Sequence, residues 1–402
     1  MTVVFGHPQG NPNAYNAALA HYEAGHLEVL CVPWMLSRPT SWMLENIGSL
    51  QPLAQRLSRR RFAPLDPVTK VQGRVKEICR LMARACGRDH ERLAYKANDW
   101  LMYTMRREVA RRRVTAIHSY EDCSLLQFAE AKRCGKACIY DMPIGYYDAW
   151  LGIQATLAHK YADWLPSSGL PSNRVRAEQK REEMKLADVV LVPSRFVAET
   201  VMEFFPQKRL KITTYGVQMS EWYPVAKPAP SDSVIFLFAG QCSLRKGIPV
   251  LLEAWRAAKL SNARLKLVGQ WQLAEKKRFN LPDGATWLPP ASSIGMRQYY
   301  QEADVFVLPT NFEGRALVIA EAMSCGLPVL STLSCGADDM IDLGTGRLIP
   351  PDNLDALVEA LRWFANHPEL LIGMGSAARN RAAQYTWSRY RQSVRAAVVP
   401  YV

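Results

Sequence analysis

The chain has 402 residues, of which 49% are hydrophobic and 22% charged, enough for two or three domains each with its own core. This excludes a collagenous, low-complexity or largely disordered chain. No apolar run approaches the roughly 18 residues a membrane-spanning helix needs. The formal charge is +13. Nine cysteines, at 31, 79, 86, 123, 134, 138, 242, 325 and 335, form no CxxC pair and no zinc-ligand spacing. Free thiols in a reducing cytosol and no bound metal are therefore expected. Thr2–Phe5 is a strand-like run with no basic segment and apolar stretch ahead of it, so no secretory signal is expected.

In chain order, apolar strands are predicted at Val3–Phe5, Leu27–Val32, Thr115–His118, Ala137–Tyr140, Val189–Val192 and Lys211–Thr213. Between the second and third lies the basic segment 51–115, with 17 Lys and Arg against 6 Asp and Glu. Asp66–Pro67 reads as a helix start, Val71, Val75, Ile78 and Met82 as its apolar face, and Gly87 as its stop. A second helix carries Leu93, Ala97, Leu101, Met105 and Val109 on one face. Lys76, Arg80, Arg84, Arg88, Arg92 and Lys96 recur every fourth residue, flanked by Arg59–Arg61 and Arg111–Arg113. The readings are a solvated basic face, or a surface for anionic lipid headgroups or a polyanionic acceptor. No interleaved aromatic platform accompanies the charge, so nucleic acid is not an expected partner.

The Pro-rich stretch Trp222–Ser233 reads as a linker. Beyond it, strands are predicted at Val234–Phe238, Leu265–Val268, Thr286–Leu288, Val305–Leu308, Pro328–Ser331 and Arg347–Ile349, with helices near 247–259, 293–302, 316–324 and 354–366. Alternating strands and helices imply an α/β chain of two doubly wound domains facing each other across a cleft, with ligands at the C-terminal ends of the strands.

Two loops carry chemistry. Ala239–Gly247 leaves a buried strand, presents Arg245 and Lys246, and runs into a helix, which concentrates cations and free amides at one point for a phosphate or diphosphate. Thr310–Gly314 follows the strand at 305–308 and precedes a helix. Glu313 and Glu321 stand eight residues apart there, one in the loop and one within the helix beside Leu317, Val318 and Ala322. An acidic residue that deep in an apolar helix needs a partner or a ligand, and Gly314 lets backbone amides come close to one. In the first half, Gly10 and Asn11 precede a helix and are candidates for diphosphate or acceptor contact. Tyr140–Tyr147 is placed on the acceptor side, with Asp141 as a hydrogen-bonding group.

The block Val234–Leu361 resembles the nucleotide-sugar half of retaining glycosyltransferases of the GT-B fold, family 4. Ala187–Phe196 resembles their last N-terminal strand and loop. Lys211–Val217 resembles their crossing segment, His7–Asn16 their first βα loop, and Thr386–Trp387 their closing helix. The resemblance implies that Arg245 and Lys246 hold the diphosphate of a nucleotide-sugar and Glu321 the ribose hydroxyls. Glu313 and the amides Gly314, Arg315, Ala316 and Leu317 would hold the sugar, with Gly240 among the donor-binding residues and His118 touching the donor sugar. It departs from the family at Gln241, where an arginine is common, and at Gly314–Arg315–Ala316, where Gly-aromatic-Gly is usual. A cation at Arg315 and a methyl at Ala316 would narrow the sugar pocket or favour an acidic donor.

The expected organisation is 1–216 as the acceptor-side domain, 217–385 as the nucleotide-sugar domain, and 386–402 as a helix packing back on the first. The expected activity is transfer from a UDP- or GDP-sugar to a glycan or lipid-linked acceptor in bacterial surface polysaccharide or lipopolysaccharide biosynthesis. The expected setting is cytoplasmic, peripheral at the inner membrane face through 51–115. With no D-x-D motif to hold a metal on the diphosphate, metal-independent transfer is expected, with no cofactor beyond the donor substrate. A non-catalytic sugar-nucleotide-binding scaffold of the same fold is the alternative.

Overall fold

A computed structural model describes residues 2–8, 10–35, 62–71, 74–85, 91–167, 169, 174–225 and 233–402. Buried Val, Ile, Leu and Phe runs, joined by crossovers that are mostly helical, form two all-parallel sheets. The first comprises β1 (Val3–Gly6), β2 (Leu27–Val32), β3 (Thr69–Val71), β4 (Ala116–Tyr120), β5 (Ala137–Asp141), β6 (Val189–Val192) and β7 (Leu210–Ile212), in the order β3-β2-β1-β4-β5-β6-β7. The second comprises β8 (Val234–Ala239), β9 (Ala263–Val268), β10 (Ala285–Leu288), β11 (Val305–Leu308), β12 (Val329–Thr332) and β13 (Gly346–Ile349), in the order β10-β9-β8-β11-β12-β13. In each, the order reverses beside the first strand, between β1 and β4 and between β8 and β11. Each sheet has its own apolar core.

The basic segment differs from expectation. Asp66–Pro67 sits in a 3-10 turn, Ala63–Val68, which feeds β3 rather than a helix. The helix begins later, as α2 (Arg74–Ala85), following α1 (Pro12–Glu23). Its apolar stripe points outward, with Val75 72% and Met82 63% exposed and Ile78 also exposed. Inward it turns an ion pair, Arg80 donating to both oxygens of a buried Glu77 at 2.6 and 2.8 Å. Helix α3 (Glu91–Arg111) does bury Ala97, Leu101, Met105 and Val109. Arg59–Arg61, Gly87, Arg88 and the central residues 226–232 of the Pro-rich stretch lie outside the described residues, as do the side chains of Arg84 and Arg92. No described helix is long and apolar enough to cross a membrane.

The halves exchange elements. A closing helix (Trp387–Val398) packs on α1, with Arg391 donating to Asn16 Oδ1 at 2.9 Å and Arg395 to Glu23 at 2.6 Å. A helix that leaves the first sheet, Tyr147–Lys160, runs the other way. Leu157 and, just past it, Tyr161 and Trp164 belong to the second core, and Lys160 and the Tyr161 hydroxyl both bind Asp352. The two main-chain crossings lie side by side, Val217 N–H donating to the Tyr385 carbonyl at 2.9 Å.

At Gly216 a β-carbon would stand 2.2 Å from the backbone nitrogen of Trp387, so the crossings leave no room for a side chain. Gly216→Ala should cost roughly 1–3 kcal/mol in denaturant unfolding. Gly152→Ala, in a helix with nothing within 4 Å of the new carbon, should gain about 0.5–1 kcal/mol. Equal midpoints for the two variants would show that the crossings are not tightly packed.

Candidate active site

Because β8 and β11 are parallel neighbours, the loops leaving their C-terminal ends lie together at the point where strand order reverses. They are joined by their backbones. Asn311 N–H and the Thr310 hydroxyl donate to the Arg245 carbonyl at 2.8 and 3.0 Å, and Asn311 Nδ2 donates to the Leu244 carbonyl at 2.9 Å. Gly247 takes φ 71°, and a β-carbon there would lie 1.9 Å from the Pro309 carbonyl oxygen. Only glycine lets the loops close to this distance.

This frame brings three charges together. Arg245 Nη1 donates to Glu313 Oε1 at 2.6 Å and to the Phe312 carbonyl at 2.9 Å, and the Lys246 ammonium pairs with the same carboxylate oxygen. Burial opposes the Glu313 charge, but Lys246 and Arg245 outweigh it and hold the carboxyl below its ordinary range. Burial lowers Lys246, and the attraction of Glu313 offsets this only in part. Two cations against one carboxylate leave net positive charge in a mostly dry place, suited to a diphosphate. Gly240, at φ 146°, lines the same corner, where a β-carbon would stand 3.9 Å from Lys246 Cε.

The helix Leu317–Ser324 carries Glu321, half-buried, with its carboxylate accepting from the Tyr300 hydroxyl at 3.1 Å. Of the predicted sugar-loop amides, Ala316 N–H is already committed to the Cys335 carbonyl at 3.2 Å. Leu317 opens the helix and turns its side chain onto the first domain's core. Gly314 is approached by protein backbone, since a β-carbon there would lie 1.7 Å from the Pro143 carbonyl oxygen.

Arg315 requires a correction. Its guanidinium is buried, paired with both oxygens of Asp339 at 2.8 and 3.3 Å, bonded to the Gly336 carbonyl at 3.0 Å, and stacked over the Tyr385 ring at 4.9 Å. A cation so fully engaged braces the loop from beneath, its charge offset by Asp339. Asp339 is the residue that sequence reasoning missed, 24 positions away and without a motif.

His118 is a second correction. It lies inside β4, not at its end, fully buried, with Nδ1 within 2.9 Å of His21 Nε2. Tyr120 ends that strand instead, its ring 4.5 Å from that of His7. Gly10 and Asn11 are taken up locally: Gly10 N–H donates to His7 Nδ1 at 2.8 Å, and Asn11 Oδ1 caps α1 through Ala14 N–H at 2.8 Å.

His118 Nε2 stands 3.6 Å from Asp141 Oδ2. Burial lowers His118 to about 3 and raises Asp141 to about 7, the latter against a hydrogen bond from Tyr120. Between those values both groups are neutral, so this contact is not an ion pair. Asp141 titrates near 7 folded and near 4 unfolded, so the folded protein holds the extra proton. Its contribution is complete below about pH 4 and is lost as pH rises through 7, by about 1.4 kcal/mol per unit. Asp141→Asn should remove this falling contribution, so that unfolding free energy climbs more steeply across about pH 4–6.5, where the buried neutral His118 and His7 contribute the opposite slope. A variant with the wild-type slope would show that Asp141 is ionised in the fold.

The model for the family of glycosyl transferases group 1 matches residues 221–381. A D-inositol 3-phosphate glycosyltransferase of Pseudarthrobacter chlorophenolicus is 30% identical over 241 residues, 53% of this chain and 57% of that one. The chain spans about half the length of the curated relatives it matches, from 48% to 60% for the first three. HepE of Anabaena, in complex with UDP-glucose, superimposes with a TM-score of 0.63 at 14% identity, covering 100% of both chains. WaaG, a glycosyltransferase involved in lipopolysaccharide biosynthesis, gives 0.63 at 14% identity over 98% of this chain and 99% of that one. The chain therefore has the GT-B fold, and the segment that the glycosyl transferases group 1 model matches holds the Arg245, Lys246 and Glu313 cluster.

Proposed function

We propose that this protein is a retaining, metal-independent glycosyltransferase of family 4. It moves a sugar from a UDP- or GDP-sugar to a glycan or lipid-linked acceptor in bacterial surface polysaccharide or lipopolysaccharide biosynthesis. The observation that carries the reading is the buried Arg245–Glu313–Lys246 cluster at the strand-order reversal of the sheet, inside the matched segment. The UDP-glucose complex of HepE and the biosynthetic role of WaaG support the donor and acceptor classes.

Arg245 and Lys246 take up the charge that grows on the departing diphosphate. Glu313 accepts from hydroxyls of the sugar, and Glu321 from those of the ribose, with the Tyr300 hydroxyl fixing its rotamer. The anomeric carbon loses its bond to the phosphate oxygen and gains one to the acceptor oxygen on the same face, while the acceptor proton passes to the leaving phosphate oxygen. The protein's own cations do the work a metal would otherwise do. Among the described residues no group of three or more His, Cys, Asp or Glu is placed to hold a metal ion.

The same reading seats the protein at an anionic membrane face. Exposed Val75, Ile78 and Met82 lie on one helix with Lys76, whose ammonium stands 4.4 Å over the Trp100 ring. Arg80, turned onto Glu77, is not part of that surface.

The first measurement is thermal stabilisation by UDP, GDP, ADP and their sugars. A nucleotide at 100 times its dissociation constant should add about 2.7 kcal/mol, and Lys246→Ala and Glu321→Ala should each remove most of that gain. Stabilisation by a nucleotide-sugar without turnover would favour the non-catalytic scaffold. Stabilisation by none would defeat the donor site. For the membrane, Lys76→Ser with Lys96→Ser should weaken binding to anionic vesicles by roughly 2 kcal/mol, on the order of thirtyfold. Unchanged partition would dismiss this surface.

A further inference from the structure

The loop bearing Glu313 is held from the opposite domain, residue by residue. Ser194, buried just after β6, donates its hydroxyl to the Gly314 carbonyl at 2.6 Å and accepts from Val197 N–H at 3.3 Å, capping the helix Arg195–Met202. Gly145 N–H donates to the Glu313 carbonyl at 3.3 Å. The Phe312 ring sits between Trp150 and Phe196, with centroids 5.4 and 5.5 Å away, and over Gly145, where a β-carbon would come within 2.3 Å of it. The Pro143 carbonyl occupies the space a side chain at Gly314 would need. Residues on both sides of Glu313 are thus fixed by the first domain, while its carboxylate is fixed by the cations of the second.

We propose that Ser194 is a positioning residue that sets the Glu313 loop from across the cleft, so that the sugar-holding part of the site is complete only when the two domains are docked. The assignment of the pocket to a nucleotide-sugar rests on the function proposed above; the mechanical claim about the loop does not. Arg245 and Lys246 follow β8, and the Arg245 backbone is held by Thr310 and Asn311 of the same domain. Loss of the Ser194 hydroxyl therefore separates two properties of one pocket: nucleotide affinity persists and the chemical step suffers, because small misplacements near a reacting centre are costly.

The test compares Ser194→Ala with Ser292→Ala, which removes the same kind of cap from the helix Ser293–Glu302. Both lose a helix cap, so a generic stability effect is shared. In Ser194→Ala, kcat with the stabilising nucleotide-sugar should fall about tenfold, while the nucleotide dissociation constant changes less than twofold. Ser292→Ala should alter neither. Equal kcat losses in both variants, or a parallel loss of nucleotide affinity in Ser194→Ala, would overturn the proposal. Hydrogen exchange of the 312–316 amides, measured on the full chain without nucleotide, reads the same contact without turnover. Exchange there should quicken about tenfold in Ser194→Ala only, since it follows local opening, and unchanged protection would refute the positioning role. A wild-type protein that binds no nucleotide sinks the donor reading, yet this exchange result still decides whether Ser194 holds the loop.

Discussion

A carboxylate shared by two cations out of water sets the terms for the rest of this molecule. Removing ions from water costs several kcal/mol each even after relaxation, so Glu313, Arg245 and Lys246 can sit as they do only if their geometry is held closely. Parallel strands supply the coarse placement, bringing two loops to one edge of a sheet. The hydrogen bonds of Thr310 and Asn311 to the backbone at 244–245 supply the fine placement. Gly247 removes the atom that would keep the loops apart. The net positive charge that results suits a bound anion.

The domains are not two independent bodies joined at a hinge. The closing helix rests on the first domain, the segment around Leu157, Tyr161 and Trp164 is built into the second core, and Leu317 reaches back to the first. Any opening of the cleft must therefore disturb the Phe312 stack and the Ser194 contact, both beside Glu313. Such coupling ties the state of the Glu313 loop to the position of the first domain.

Residues of one chemical type serve opposite ends here. Arg245 and Arg315 lie ahead of helices of one sheet, yet Arg245 faces a carboxylate flanked by a second cation, whereas Arg315 is neutralised by Asp339 and covered by Tyr385. His118 shows the same contrast: an imidazole that would touch a ligand at a strand end becomes, two positions earlier in that strand, a neutral packing group against His21. Charge and hydrogen-bonding capacity belong to the side chain. Their use belongs to the surroundings.

What local rules encode can be read along the chain. Strand identity follows from short β-branched and apolar runs, so β1, β2 and β4 to β13 were legible to within a few residues, and with them the two-domain α/β plan. The loop cations and the Glu313–Glu321 spacing were legible because strand-loop-helix context is local. Strand β3 was not, since its three residues carry no period and follow a proline that mimics a helix start. Nor was the outward turn of Val75, Ile78 and Met82, because periodicity marks a face without saying which way it points. Local rules do not encode that Arg315 meets Asp339, that Ser194 reaches Gly314 across 120 residues, or that burial raises Asp141 and lowers His118. Those outcomes depend on distances between remote segments and on exclusion of water, and neither quantity is carried by any stretch of the chain alone.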